Sequence, residues 1–354
     1  MTQLENRNKS LDALRGIFAC LVVIMHIDII TFFKKISIIQ HAYVFVDFFF
    51  VLSAFVLYNS YIKNNFTIKY LIIKRIKRLI PLHYFMLILF FLFELFKKYY
   101  IENRLHLETH SFSNETSIYS FFCSVFLFDS FGFFENNIWN APAWSISAEL
   151  YSYILFIILA NFNKLIRNIL YILLGFFLLI FSIKKGTTDY GQKFGIIRCL
   201  WSYYIVIFFL QNNIYKYLIN KYLYILSIII VIIYFLFSLQ LKNYEFFLPI
   251  IFTIIIFNIY YSKKIILNNK FTNLIGELSY SIYLSQAFII IIIDDLLVLL
   301  SRKFSNLFYI ENHLIYFSNN IIGVSITLIT ILLIIIFSFF TNKYIENIFL
   351  KKNN

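Results

Sequence analysis

Charge is scarce in this chain: 14% of its 354 residues are Asp, Glu, Lys or Arg, whereas 61% are hydrophobic and 21% aromatic. A soluble domain carries about 25% charged and about 45–50% apolar residues, so the composition excludes an ordinary soluble protein. Cysteine is nearly absent. Cys20, Cys123 and Cys199 lie far apart, each within or beside an apolar run, and neither a disulfide framework nor a metal site can be built from that spacing. Proline occurs only at positions 81, 142 and 249, and the first two precede or open helices next to charged or tryptophan-rich segments. A cleavable signal is also missing: Arg15 interrupts the first apolar stretch and no small-residue cleavage site follows, so the first span is expected to stay in the protein. No internal repeat is visible, which speaks against an inverted-repeat transporter.

What is present in quantity is Phe, Ile, Tyr and Leu, in runs of about 17–25 residues that suffice to cross a hydrocarbon core of about 30 Å. The expected fold is all-α: a polytopic transmembrane helical bundle with ten spans at roughly 12–33, 42–61, 79–96, 144–160, 168–183, 194–211, 222–240, 246–262, 275–299 and 317–341. A single domain is expected over 1–354, with the bundle in 10–341 and a cytoplasmic tail in 342–354. The stretch 118–134 is apolar but broken by Ser124, Asp129, Ser130 and Gly132, and reads as a span or as a re-entrant segment. Sidedness decides. With a cytoplasmic N-terminus and no crossing there, about 18 Lys and Arg face the cytoplasm against about 11 outside; a crossing makes it about 14 against 15 and erases the bias. Ten spans with both termini cytoplasmic follow.

The formal charge of +13 suggests nucleic acid, but the basic residues sit in short clusters between apolar spans, such as Lys74, Arg75, Lys77 and Arg78, or Lys263 and Lys264. That pattern suits anionic headgroups and orientation signals, which makes membrane lipids the partner and argues against a nucleic-acid role.

Ionisable groups inside a bilayer cost about 2.5–3.5 kcal/mol each on insertion scales and turn toward the bundle interior or water. Four places stand out. Arg15 and His26 are eleven residues apart, about three helical turns, and so share one stripe roughly 16 Å apart along the axis. The plain alternative is a snorkelling Arg15 and a His26 that only caps a buried hydrogen bond. Asp47 lies in an apolar helix and needs a partner; beside His26 it would fix that ring's tautomer and raise its basicity, and with an arginine it would be a structural ion pair. Arg75 and Arg78 precede Pro81, which suits the first turn of a helix. They read as a positive-inside anchor or as planar donors for the phosphates of a donor such as coenzyme A. Trp139 and Trp144 flank Pro142 at the outer interface; Ser145 or Ser147 is placed to cap the next helix, and Glu149 falls inside it. The tryptophans suit an aromatic belt or a platform for a sugar.

Taken together and in this order, these segments resemble the acyltransferase-3 family of integral-membrane acyltransferases. The carrying residues are Leu11 to Gly16 with Arg15 and His26, Asp47 through Ser53 to Phe55, Arg75 and Arg78 before Pro81, Trp144, Ser145 and Glu149, Ser279, Tyr280, Tyr283 and Leu284, and a closing Tyr344 and Glu346. The chain departs from the family pattern where Ala54 replaces a frequent Gly, where Ser285 and Gln286 stand instead of a frequent His, and where no Pro follows the last Glu.

The resemblance implies an O-acetyltransferase that takes acetyl-CoA, with phosphates near Arg75 and Arg78, and needs no metal. It further implies that His26 is the general base or a transient acyl carrier, oriented by Asp47, that Arg15 places the donor, and that Glu149 shapes the acceptor side. With Trp144, Ser145 and Tyr151 as acceptor contacts, the acceptor would be a hydroxyl of a surface or lipid-linked polysaccharide such as O-antigen, at the bacterial inner membrane. The rival reading is a proton-coupled flippase or transporter of a lipid-linked sugar, with His26 and Asp47 relaying protons.

Overall fold

The computed structural model describes residues 8–64, 67–102, 111–136, 138–185, 193–262, 267–301, 303–304 and 306–351. The Lys263–Lys264 cluster and the end of the expected tail lie outside the described residues. The principal helices are α1 (Lys9–His26), α2 (Phe45–Asn64), α3 (Ile68–Phe96), α4 (Ile118–Val125), α5 (Ala143–Ala160), α6 (Lys164–Lys185), α7 (Gly195–Gln211), α8 (Lys221–Leu236), α9 (Leu248–Tyr261), α10 (Lys270–Ser301) and α11 (Asn320–Thr341).

Seven helical stretches are long and apolar enough to cross a membrane: Ala42–Asn59, Ile68–Glu102, Ala143–Ala160, Lys164–Lys185, Ser238–Tyr261, Lys270–Ser301 and Asn320–Leu350. Helices α7 and α8 are apolar but shorter, and α1 carries Lys9, Asp12 and Arg15 within its 18 residues. The protein is a multi-pass, helical membrane protein. Each of the ten expected spans overlaps one of these helices.

The stretch 118–134 resolves as a short helix followed by tight turns. Helix α4 has eight residues, about 12 Å of rise, against about 30 Å of hydrocarbon. Its chain then turns back through Leu127 (φ 56°) and Gly132 (φ 80°). The residues that break its hydropathy hold it in place. Ser124 donates to Asp129 Oδ1 (2.7 Å), Ser130 and Ser147 share a hydroxyl contact (2.8 Å), and Ser147 donates to the Leu127 carbonyl. His83 of α3 donates from Nε2 to the Ser124 carbonyl (2.8 Å).

Three expectations are corrected. The first span, expected to run to residue 33, leaves the helix at Ile27, whose backbone is extended. The following residues form β1 (Ile29–Ile30), which pairs in parallel with β3 (Leu314–Phe317); β3 is the second strand of a hairpin with β2 (Phe308–Glu311). Asn312 and His313 turn that hairpin with φ of 49° and 64°, the positive pair that a two-residue type I′ turn needs. Second, Pro81 lies inside α3 rather than in its first turn; Thr67 caps the helix two turns earlier than the basic cluster, accepting from Tyr70 N. Third, Ser145 and Ser147 do not cap α5, which begins after Pro142 without a side-chain cap.

Helix α1 packs backbone to backbone on α10. A Cβ on Gly16 would lie 2.6 Å from Gly276 N, and one on Gly276 would lie 2.6 Å from the Asp12 carbonyl oxygen. Small residues let backbones meet in this way inside membranes. The pair runs parallel, and α2, α9 and α1 enclose an aromatic core in which Phe18 stacks on Phe45 at 4.0 Å and meets Phe48 edge-on.

Candidate active site

A cavity of about 90 Å³ opens between α1, α2, α3, α5 and α10. Its position follows from helix periodicity. Arg75 and Arg78 are three residues apart and so share a face of α3; both line the cavity, whereas Lys74 is exposed on the other side. Arg15 enters from α1, Glu149 and Ser145 from α5, Ser53 from α2, and Ser279, Tyr280 and Tyr283 from α10. Three guanidinium groups face one carboxylate among the lining side chains, so the cavity is electropositive.

Arg15 and Arg75 are both held. Arg15 Nε donates to Ser279 Oγ (2.6 Å) and its Nη2 to the Gly276 carbonyl (3.0 Å), with Asp12 at 3.5 Å. Arg75 Nη2 donates to Ser53 Oγ (2.8 Å) and pairs with Glu149, while its guanidinium lies over the Tyr153 ring at 5.3 Å. Arg75 Nε is buried and has no partner among the described residues. Ser53 in turn contacts the Tyr203 hydroxyl (2.6 Å). Tyr280 donates to the Leu79 carbonyl (2.7 Å), which ties α10 to α3 beside Arg78.

The expected partner of Asp47 is corrected. Its two oxygens accept from Arg198 of α7, Nε at 2.8 Å and Nη2 at 3.0 Å, and not from His26. Arg198 also donates to the Tyr43 carbonyl (2.7 Å) and lies 5.7 Å from the Trp144 ring. The ion pair that Asp47 requires is therefore met by a cation 151 positions away. Glu149, expected on the acceptor side, pairs with Arg75 within the arginine cavity.

Of the expected acceptor contacts, only Ser145 lines the cavity, while its hydroxyl also donates to the Pro142 carbonyl (3.0 Å). Trp144 packs inward on Phe50 and Gly195 rather than out toward the interface. Tyr151 donates to the Phe126 carbonyl (2.9 Å) and meets the Phe131 ring edge-on, so it fastens the turns after α4 to α5.

His26 closes α1, outside the lining of the arginine cavity. Its side chain is exposed at the end of the helix. Its Nδ1 lies 2.9 Å from the Val22 carbonyl. A carbonyl can only accept, so Nδ1 carries the proton and the neutral ring presents Nε2 as a base.

Charges that the sequence did not single out gather at the same end. Lys34 donates to the Met25 carbonyl (2.5 Å). Burial pushes the Asp28 carboxyl up, against the pull of Lys34 and His313, and pushes the Lys34 amine down, against Asp28 and Asp294. No group of three or more His, Cys, Asp or Glu side chains suited to a metal ion occurs among the described residues.

A family model described as an acyltransferase domain matches residues 8–340 of the chain. No curated protein and no solved structure gives a significant match.

Proposed function

The chain belongs to the acyltransferase-3 family, and on that premise we propose that it moves an acetyl group from acetyl-CoA to a hydroxyl of a surface or lipid-linked polysaccharide such as O-antigen, at the bacterial inner membrane. The observation that carries this reading is the arginine cavity. Three guanidinium groups from two helices converge on one space. Guanidinium forks match phosphate oxygens, and Arg75 keeps an unused buried N–H. The residues present thus suit a polyphosphate donor.

The bundle is read as ten spans, counting α1, α7 and α8, with both termini cytoplasmic. The arginines then lie in its cytoplasmic half and His26 near the outer face. His26 is eleven residues beyond Arg15 on the same helix stripe, about 16 Å along the axis, so a donor anchored by its phosphates can extend its thioester toward the imidazole. There, His26 Nε2 takes the proton of the acceptor hydroxyl. The hydroxyl oxygen bonds to the thioester carbonyl carbon, the carbon–sulfur bond breaks, and the imidazolium returns the proton to the departing thiolate. General-base assistance of this kind contributes about 10²–10⁴-fold. Asp28, Lys34 and Asp294 supply polar contacts for an acceptor sugar beside the imidazole.

Surface glycans from cells with and without the gene, compared by mass spectrometry, are expected to differ by an acetyl mass. His26→Ala is expected to abolish that difference while the protein still inserts; full acetylation in the variant would remove His26 from the chemistry. Movement of an unmodified glycan across vesicles by purified protein without acetyl-CoA would support the flippase instead.

A further inference from the structure

Gln286 is fully buried, and among the described residues it alone has both polar side-chain atoms without a partner. A primary amide offers two donors and an acceptor, and leaving them unmade in a water-poor interior is costly. A leucine or methionine would fill the same volume without that cost. An amide held open in such a place is poised for a ligand.

Its position says which one. On α10, Gly276, Ser279, Tyr283, Gln286 and Ile290 follow the three-and-four spacing of a single helix face. Gly276 touches α1, Ser279 binds Arg15 and Tyr283 lines the arginine cavity. Gln286 is one turn beyond Tyr283. Helices α1 and α10 run parallel in a register set by Gly16 against Gly276. Ten residues further along both, about 15 Å, that register brings His26 and Gln286 to the same height. The amide therefore lies one turn beyond the cavity lining, on the helix stripe that carries Ser279 and Tyr283 and level with the imidazole.

We propose that the Gln286 carboxamide donates a hydrogen bond to the carbonyl oxygen of the acyl thioester, an inference that rests on the acyl-transfer reading above. When the acceptor oxygen, deprotonated by His26, bonds to the carbonyl carbon, the π pair moves onto the carbonyl oxygen as negative charge. The amide N–H receives it. As the carbonyl re-forms, the carbon–sulfur bond breaks and the thiolate takes the proton from His26. A neutral amide suits the task because it donates without titrating, and a donor aimed at developing charge in a dry site acts more strongly than in water.

Gln286→Met keeps size and removes the donor. In purified protein with acetyl-CoA and the glycan acceptor, kcat is expected to fall on the order of 10²–10³-fold. The KM for acetyl-CoA should stay unchanged and the thermal midpoint should be equal or higher. Gln286→Leu, which removes both donor and acceptor, should lose kcat to a similar degree. A kcat within threefold of the parent in either folded variant overturns the proposal, as does a loss of kcat that only follows a loss of stability. If the unaltered protein transfers no acetyl group, it is the acyl-transfer reading that fails.

Discussion

Asp47 and Arg198 are 0% and 4% exposed and share two hydrogen bonds, so removing either leaves an uncompensated buried charge at a cost of about 3–5 kcal/mol. Asp47→Ala and Arg198→Met, each alone, are expected to lower the unfolding midpoint in detergent sharply. The double variant should lose less than the two single losses combined. Strict additivity would show that the pair is not coupled. The need for a cation beside Asp47 was legible in the sequence, because a carboxylate in an apolar helix demands one. Which cation was not, since Arg15, His26 and Arg198 were all available and only the packing of α2 on α7 decides. His26 needs no carboxylate to set its tautomer: a carbonyl one turn back on its own helix does so. Gln286 was visible as a departure from the family pattern, but burial and missing partners belong to three dimensions.

At the level of elements, Gly16 and Gly276 are the joint on which the site depends. Gly16→Ala puts a methyl into the backbone of α10, and overpacking of this kind costs about 1–3 kcal/mol. Transfer activity is expected to fall further than stability does, because Arg15 and His26 move together relative to α10. A rate that tracks the unfolding midpoint alone would reduce the glycine contact to packing. The turn after α4 yields a pH test. Burial pushes the Asp129 carboxyl from 3.8 up to about 6, with the Ser124 hydroxyl pulling the other way. The folded protein then holds this proton more tightly than the unfolded chain. The contribution is fully present below pH 3.8 and is lost as the pH rises through about 6. Unfolding free energy should decline across that window, and Asp129→Asn should flatten the decline and stabilise the protein at pH 7 by on the order of 2–3 kcal/mol. An unchanged slope would remove Asp129 as its source. Hydropathy located the helices because lipid imposes their length. It misjudged the start of α3, since a proline inside a membrane helix is tolerated, and it missed the end of α1, where apolar residues continue from helix into strand.

For the molecule as a whole, the sequence made the helical, multi-pass character plain, but the cavity was beyond it. Arg15 was read as a resident of one helix and the Arg75–Arg78 pair as residents of another, and nothing in their spacing said that α1 and α3 face one space. Sidedness is testable. In a cysteine-free background, single cysteines at Asn8 and Asn347 are expected to react with a membrane-impermeant reagent only from the cytoplasmic face, and one at His313 only from the opposite face. Labelling of positions 8 and 313 from the same side would refute the ten-span topology. The opening helix is pinned near its foot, where Gly16 rests on Gly276, and again just past its top, where Ile29 and Ile30 run beside Ile315 and Tyr316. A rod gripped at two such points neither slides nor swivels, so the slot beside it keeps one width. Passengers must fit that slot, because it does not stretch to fit them.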